Sequence, residues 1–182
     1  LYVMDLVLAM KRQWGWLYVD ELCWRKASPP GHWKDRFRNG FEPIHQFAIE
    51  GAGGKFYPER VGHESDAVMV STTVAGVTNS AGTDGYYNTS GESEAGWALP
   101  DNVIEAYGIE GGIAHSALFP VSLPAFFVQA YTDERDIVFD PFMGSGSTML
   151  AAEQTRRLGY GCELHPRIAA VLLDRLSRAG LK

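Results

Sequence analysis

The stretch DIVFDPFMGSGSTMLAAEQTRRLGYGCEL, residues 136 to 164, constrains the fold more than any other part of the sequence. A short apolar run ends at Asp140, a glycine turn and a helical pattern follow, and a second apolar run completes the unit. Strand, helix and strand in this order predict parallel strands joined by a helix. We therefore expect an α/β fold in which helices cover a parallel sheet.

The glycine turn between the two elements is a candidate ligand site. Gly144 and Gly146 permit positive φ angles and close backbone approach, and the helix after them presents free N–H groups to the space above the turn. A Walker loop needs GxxxxGK[ST], and a dinucleotide fingerprint needs a third glycine where Met149 stands. The turn therefore gives little support to ATP or GTP hydrolysis or to a dinucleotide pyrophosphate.

Glu163 narrows the class of ligand, because it lies about 20 positions after Gly144, at the end of the next strand. A carboxylate in that place can accept hydrogen bonds from both hydroxyls of a ribose. The predicted ligand is an adenosine compound. A surface ion pair with Arg167 is the alternative for Glu163, and an ordinary strand-to-helix turn is the alternative for the glycine loop.

The whole chain divides into three predicted regions. Residues 1–50 and residues 101–182, which contain the glycine turn, have regular patterns, and residues 51–100 between them form a variable insert. Before the insert, VMDLVLAMKRQW has a helical stripe, and GWLYVDELCW and FEPIHQFAIE have strand patterns. From Gly51 to about Pro100, Gly, Ser, Thr and Asn are frequent without a sustained period, so this region is expected to be flexible. Downstream, DNVIEA predicts a strand, and SLPAFFVQAY and PRIAAVLLDRLSRAG predict helices.

The charge distribution leaves the question of a nucleic-acid partner open. A net charge of −6 argues against phosphate binding. Five basic residues nevertheless fall in one short stretch, and we consider them candidate DNA contacts: Arg25, Lys26, Lys34, Arg36 and Arg38. A solvated loop is the alternative.

Cysteine spacing and hydropathy bear on metal binding and location. Cys23 and Cys162 lie in apolar, strand-like runs without metal-ligand spacing, so both are expected to be buried thiols and no metal is expected. No apolar run reaches the roughly 18 residues of a membrane span, and the first residues lack the pattern of a signal peptide. We expect no membrane partner and a cytoplasmic location.

Three segments, DPFMGSGST, GYGCELHPRIAAVLLDRL and HSALFP, together resemble the cytosine-N4 and adenine-N6 DNA methyltransferases in which the cofactor half follows the catalytic half. The likeness is close across residues 115 to 178, and residues 51 to 98 take the place of the target-recognition region. It implies that residues 1–50 are the C-terminal part of the catalytic half and that residues 101–182 are the S-adenosylmethionine-binding half. It implies a Rossmann-like sheet with helices on both faces, S-adenosylmethionine as cofactor and double-stranded DNA as partner. The implied reaction transfers a methyl group to an exocyclic amine of adenine or cytosine.

The resemblance also implies a set of cofactor-binding residues. Asp140 would order the loop and face the cofactor's ammonium, Phe142 would offer an apolar surface, and Glu163 would bind the ribose. Ser147 and Thr148 would donate to the carboxylate or cap the helix. The full set is His115, Ser116, Phe119, Asp140, Phe142, Gly144, Gly146, Ser147, Thr148 and Glu163. His115 and Phe119 would close over the methionine end of the cofactor; capping alone is the alternative for Ser147, and core packing is the alternative for Phe119.

One departure from the family concerns catalysis. The family's catalytic loop is Asp, Asn or Ser, then Pro-Pro, then an aromatic residue that stacks on a flipped base. Ser28 begins a Ser-Pro-Pro sequence here, but Gly31 replaces the aromatic and no apolar strand leads directly into it. We therefore expect no catalytic residue in this chain, the motif to lie upstream of Leu1, and the chain alone to be inactive.

A truncated chain would also have an incomplete sheet. The resemblance places the strand before the catalytic loop beside the strand ending at Asp140. Without that neighbour, the backbone groups along the edge of the Asp140 strand would be unpaired, which would favour self-association. Two further hypotheses stay open: a non-catalytic remnant that binds cofactor or DNA, and a small-molecule methyltransferase. The second has no use for the basic stretch.

Overall fold

A computed structural model describes residues 2–26, 34–64, 97–107 and 119–180. The helices are α1 (Tyr2–Arg12), α2 (Ser122–Tyr131), α3 (Ser147–Gln154) and α4 (Pro166–Arg178), and the strands are β1 (Trp16–Arg25), β2 (Phe41–Ile49), β3 (His63–Glu64), β4 (Trp97–Ala98), β5 (Val103–Glu105), β6 (Ile137–Asp140) and β7 (Leu158–Gly161). Each helix and strand that the sequence predicts is present, and β3 and β4 are additional. None of the helices in these ranges is long and apolar enough to cross a bilayer.

The unit β6–α3–β7 has the predicted parallel arrangement. β6 and β7 pair from Ile137 opposite Leu158 to Asp140 opposite Gly161. α3 lies so close to the sheet that a Cβ on Gly159 would be 3.1 Å from the sulfur of Met149. The glycine loop between β6 and α3 is therefore at the carboxyl edge of parallel strands, where α/β folds bind ligands.

A second sheet has the order β2-β1-β5. β1 is antiparallel to β2, with a register shift between Tyr18 and Asp20, and parallel to β5. The core of this half lies where α2 covers the sheet. It consists of the buried residues Leu22, Ile104, Ala106 and Leu123, with Trp24, Ile44, Phe119, Phe126 and Phe127 packed against them.

In the described part of the chain, β6 and β7 form a separate two-stranded sheet. Among the described residues, β6 pairs with β7 alone. One face of this pair leaves four large side chains about half or more exposed: Ile137, Phe139, Leu158 and Tyr160. Within the described ranges this face of the pair is thus uncovered, and the incomplete sheet that the resemblance implies stays a prediction.

Cys162 corrects one sequence-based expectation, because its side chain is exposed rather than buried, while Cys23 is half-buried. Cys162 follows the last residue of β7, at the rim of this two-stranded sheet. An apolar neighbourhood in sequence does not ensure burial where the sheet lacks cover.

The start of the predicted insert is attached to α2. The ring of Phe56 stacks on Tyr131, with centroids 5.2 Å apart, and the amide of Tyr57 donates to the carbonyl of Ala130 at 2.7 Å. β3 then pairs with β4, placing His63 opposite Ala98. Residues 55–64 thus have specific contacts with the scaffold, the flexibility expected of this region stays a prediction, and residues 65–96 lie outside the described ranges.

Four charged side chains strengthen this attachment, and we call them the clamp: Lys55, Arg60, Asp133 and Asp136. Lys55 Nζ lies 3.0 Å from Asp133 and 2.6 Å from Asp136, and Arg60 lies 3.1 Å from Asp133. The hydrogen bonds from Lys55 and then Arg60 lower the pKa of Asp133 from 3.8 to about 2. The clamp joins the loop after β2 to the turn before β6.

Candidate cofactor site

The glycine loop is held at its start by β6 and at its base by the end of β7. Asp140 Oδ1 accepts a hydrogen bond from the amide of Phe142 at 2.9 Å, and the amide of Met143 donates to the carbonyl of Cys162 at 3.0 Å. Asp140 therefore orders the loop, while its contact with a cofactor stays a prediction. The side chain of Phe142 is 88% exposed and lies open to any ligand above the loop.

Glu163 contacts the loop directly. Its Oε2 accepts from the amide of Gly144 at 3.0 Å, and its Oε1 accepts from the amide of His165 at 2.8 Å. The ion pair with Arg167 considered as an alternative is absent among the described residues. Because each carboxylate oxygen has two lone pairs, Glu163 can still accept further hydrogen bonds from a ligand.

The two loop glycines serve different purposes. Gly144 has φ +51°, and a Cβ there would meet nothing closer than a backbone oxygen at 3.8 Å, so space remains for a ligand. Gly146 has φ +86°, and a Cβ there would lie 1.9 Å from the buried side chain of Leu172 on α4. The missing side chain of Gly146 therefore makes room for α4, and a contact of its backbone with the cofactor stays a prediction.

Ser147 faces the protein interior. It is 4% exposed, and its hydroxyl donates to the carbonyl of Phe119 at 2.9 Å. Gly146 precedes α3 without a side-chain cap, so the capping alternative for Ser147 is wrong. Arg175 on α4 donates from Nη1 to the hydroxyl of Ser147 at 3.3 Å and to the carbonyl of Ser145 at 3.2 Å. Sequence reasoning missed Arg175, since its place in an amphipathic helix gives no sign of this contact.

Of the other predicted cofactor residues, Phe119 and Thr148 are described by the structure and two are not. The ring of Phe119 packs against the core cluster, as its alternative states, and its role as a lid contact stays a prediction. Thr148 is half-buried in the first turn of α3. His115, Ser116 and the Ser-Pro-Pro sequence beginning at Ser28 lie outside the described residues.

Two of the predicted DNA contacts have acidic partners. Arg25 pairs with Glu105 at 2.9 Å, and Lys26 pairs with Glu42 while its Nζ lies 5.3 Å from the centre of the Trp24 ring. These two cations are therefore partly neutralised.

The remaining three basic residues lie on the loop that enters β2, and all are exposed: Lys34, Arg36 and Arg38. Between the two arginines, Phe37 is 96% exposed. Sequence reasoning missed Phe37, although an aromatic residue between two arginines is a recognisable signal of nucleic-acid contact.

Comparison with known proteins relates this geometry to one family. The family described as DNA methylase, the N6 and N4 methyltransferases, matches residues 2–173. The orphan methyltransferase M.BamHII of Bacillus amyloliquefaciens is 32% identical over 80 residues, which is 44% of this chain and 30% of that protein. The type II methyltransferase M.PvuII of Proteus hauseri is 42% identical over 57 residues, 31% of this chain and 17% of that protein.

Solved structures share the fold. The cytosine-N4-specific PvuII DNA methyltransferase matches with a TM-score of 0.64 and 20% identity, over 96% of this chain and 56% of that one. M1.HpyAVI in complex with SAM also matches with a TM-score of 0.64, at 19% identity, over 96% of this chain and 70% of that one. The chain thus spans little more than half of the first of these structures and less than a third of the two relatives matched by sequence.

Proposed function

The chain belongs to the DNA methylase family of N6 and N4 methyltransferases, and we propose that it forms the cofactor site and part of the DNA-contacting surface of such an enzyme. The cofactor is S-adenosylmethionine, whose sulfonium supplies an activated methyl group. The acceptor is an exocyclic amine of adenine or cytosine in double-stranded DNA. The observation that carries the proposal is the pairing of Glu163 with Gly144 at the carboxyl edge of β6 and β7.

The described residues suit an adenosine ligand that carries no phosphate. Glu163 stands at the end of β7 with acceptor capacity for ribose hydroxyls, and the open side of Gly144 lets a ligand approach the backbone. Exposed Phe142 offers an aromatic surface beside the loop, and Asp140 contributes negative charge near a ligand ammonium. No Lys or Arg follows the glycines in the first turn of α3, where a triphosphate site would need one.

Calorimetric titration with S-adenosylmethionine tests the cofactor site. Glu163→Ala should weaken binding by about 1–3 kcal/mol, because ribose hydroxyls lose a charged acceptor. Glu153→Ala, which removes an exposed carboxylate from α3, is the matched control and should bind like the unaltered chain. Unchanged affinity in Glu163→Ala, or an equal loss in the control, would contradict the assignment.

DNA contact is assigned to the loop that precedes β2. Lys34, Arg36 and Arg38 can neutralise backbone phosphates, and exposed Phe37 can stack on a base. A small-molecule methyltransferase would have no use for this combination. The ion pairs of Arg25 with Glu105 and of Lys26 with Glu42 reduce what these two cations contribute to phosphate binding.

The salt dependence of duplex binding tests this surface. Each phosphate contact adds about 0.9 to the slope of log affinity against log salt concentration, so Arg38→Ala should reduce that slope by about one. Arg178→Ala, at the exposed end of α4, should leave it unchanged. A shallow slope for the unaltered chain would favour the small-molecule hypothesis.

Within the described ranges β6 has a strand on one edge alone, and this edge, together with exposed Ile137 and Phe139, supports self-association of this chain. Sedimentation at increasing protein concentration should therefore detect a dimer or larger species, and a monomer at all concentrations would contradict it. We place the protein in the cytoplasm, where double-stranded DNA is accessible to it in a bacterial cell.

A further inference from the structure

We propose that Arg175 on α4 is a positioning residue that fixes the glycine loop through Ser145 and Ser147 and couples it to the backbone at Phe119. The inference rests on the proposed cofactor site, since the loop it fixes is the one assigned to S-adenosylmethionine. Arg175 contacts the loop at Ser145 and Ser147, whereas Glu163 contacts it at Gly144.

The guanidinium binds two adjacent parts of the loop with one nitrogen. Nη1 lies 3.2 Å from the carbonyl oxygen of Ser145 and 3.3 Å from the hydroxyl of Ser147. Both serines are 4% exposed, so their oxygens have little access to water. A buried acceptor without a partner is costly, and a charged donor makes the stronger kind of hydrogen bond. Arg175 therefore stabilises this loop conformation over others.

The contact also sets the direction in which the Ser147 hydroxyl points. A hydroxyl has a single proton to donate. Because Arg175 has no acceptor atom, Ser147 must accept from it, and its proton is available for the carbonyl of Phe119, 2.9 Å away. The hydrogen bonds thus run in one order, from Arg175 through Ser147 to Phe119, and α4 is connected through the loop to the segment that enters α2.

The packing of α4 against the loop brings Arg175 within hydrogen-bond distance of both serines. Leu172, one helical turn earlier on the same face of α4, fills the space beside Gly146. Two residues before Gly146, the amide of Gly144 donates to Glu163. The loop is therefore held between α4 and Glu163 before a ligand arrives, and a preorganised loop binds more tightly than one that must be ordered on binding.

The test compares Arg175→Met, which keeps the length of the side chain but has no donor, with Arg175→Lys, which keeps charge and donors. Amide hydrogen exchange of residues 143–148 is measured without cofactor, and affinity for S-adenosylmethionine is measured by calorimetry. Arg175→Met should speed exchange in the loop about 10-fold and weaken binding about 10-fold, as expected for the loss of a charged hydrogen bond. Arg175→Lys should recover most of both.

Arg178→Met is the matched control, because Arg178 is an exposed arginine of the same helix whose partner is Asp174, at 2.8 Å. It should change neither quantity. Arg175→Lys behaving like Arg175→Met would overturn the proposal, since the effect would then come from packing rather than from donated hydrogen bonds. Normal exchange and normal affinity in Arg175→Met would overturn it as well.

Ser147→Ala and Ser147→Thr keep the test decisive if Arg175→Met does not fold. The first removes the central hydroxyl without altering α4, and the second retains it, so faster loop exchange is expected in the first alone. If the unaltered chain fails to bind S-adenosylmethionine, the proposed cofactor fails, whereas the exchange data still decide whether Arg175 holds the loop.

Discussion

Replacing Gly146 by alanine should destabilise the protein far more than the same change at Gly144, two residues earlier. A residue with a Cβ in the left-handed region costs roughly 1–2 kcal/mol, and overpacking of a filled site costs about 1–3 kcal/mol. At Gly146 both apply, because φ is +86° and the new methyl would lie 1.9 Å from Leu172 Cδ1. Alanine also restricts the unfolded chain, which offsets about 0.4–1 kcal/mol.

The expected loss of unfolding free energy is therefore about 2–4 kcal/mol for Gly146→Ala. For Gly144→Ala, the φ of +51° gives strain, but the nearest atom is 3.8 Å away, so the net loss should be about 1 kcal/mol or less. Urea unfolding followed by circular dichroism measures both. The difference between the two variants isolates the contact with α4.

A double-mutant cycle with Leu172→Ala checks that interpretation. Alone, this change removes a buried leucine and should cost about 2–5 kcal/mol. In its presence the methyl of Gly146→Ala has space, and the added cost should fall to the strain alone, about 1 kcal/mol. Equal costs of Gly146→Ala in both backgrounds, or a cost no larger than that of Gly144→Ala, would refute the reasoning.

Three further predictions follow from other features of the molecule. Lys55 lowers the pKa of Asp133 to about 2, so this carboxylate stabilises the fold above its unfolded pKa of roughly 3.9 and loses that effect as the pH falls toward 2. Asp133→Asn should therefore flatten the decline of the urea midpoint between about pH 4 and 2, and parallel profiles would contradict the clamp. Phe37→Ala should weaken duplex binding by about 1–3 kcal/mol without changing the salt slope, and Phe37→Trp should retain the affinity. These 182 residues alone should not transfer a labelled methyl group to DNA, because their single Pro-Pro pair is followed by glycine. Turnover by this chain would contradict the prediction and would support a catalytic role for Ser28.

Much of the fold could be predicted because its signals are short-range. The apolar run of β6, the two glycines and the helical pattern of α3 stand next to one another in the sequence, and β7 follows within a few residues. Periodicity and turn composition report such neighbours directly. The same signals placed Glu163 at the end of β7, beside the loop.

What the sequence did not predict depends on contacts between distant residues. Lys55 and Asp136 are 81 positions apart, and nothing near Lys55 marks it as part of a clamp in a segment whose composition indicates flexibility. In the site, Leu172 and Arg175 belong to an ordinary amphipathic pattern, so their packing against the glycine loop appears only once α4 is placed. Phe37 differs, since its basic neighbours carry a local signal that was available.

The pairing of β3 with β4 has a consequence for how enzymes of this kind could acquire new specificities. His63 lies opposite Ala98, so the chain leaves the scaffold and returns to it at one place, shortly after Lys55 and Arg60 of the clamp, which bind Asp133 in the turn before β6. Lengthening a loop whose ends already meet costs only about 0.6 kcal/mol for each doubling. Residues 65–96 can therefore be exchanged for a segment of different length and sequence while the cofactor loop is left unaltered. We therefore expect chimeras joined at Glu64 and Trp97 to exchange this segment, which the resemblance predicts to be the target-recognition region, without disturbing the rest of the fold.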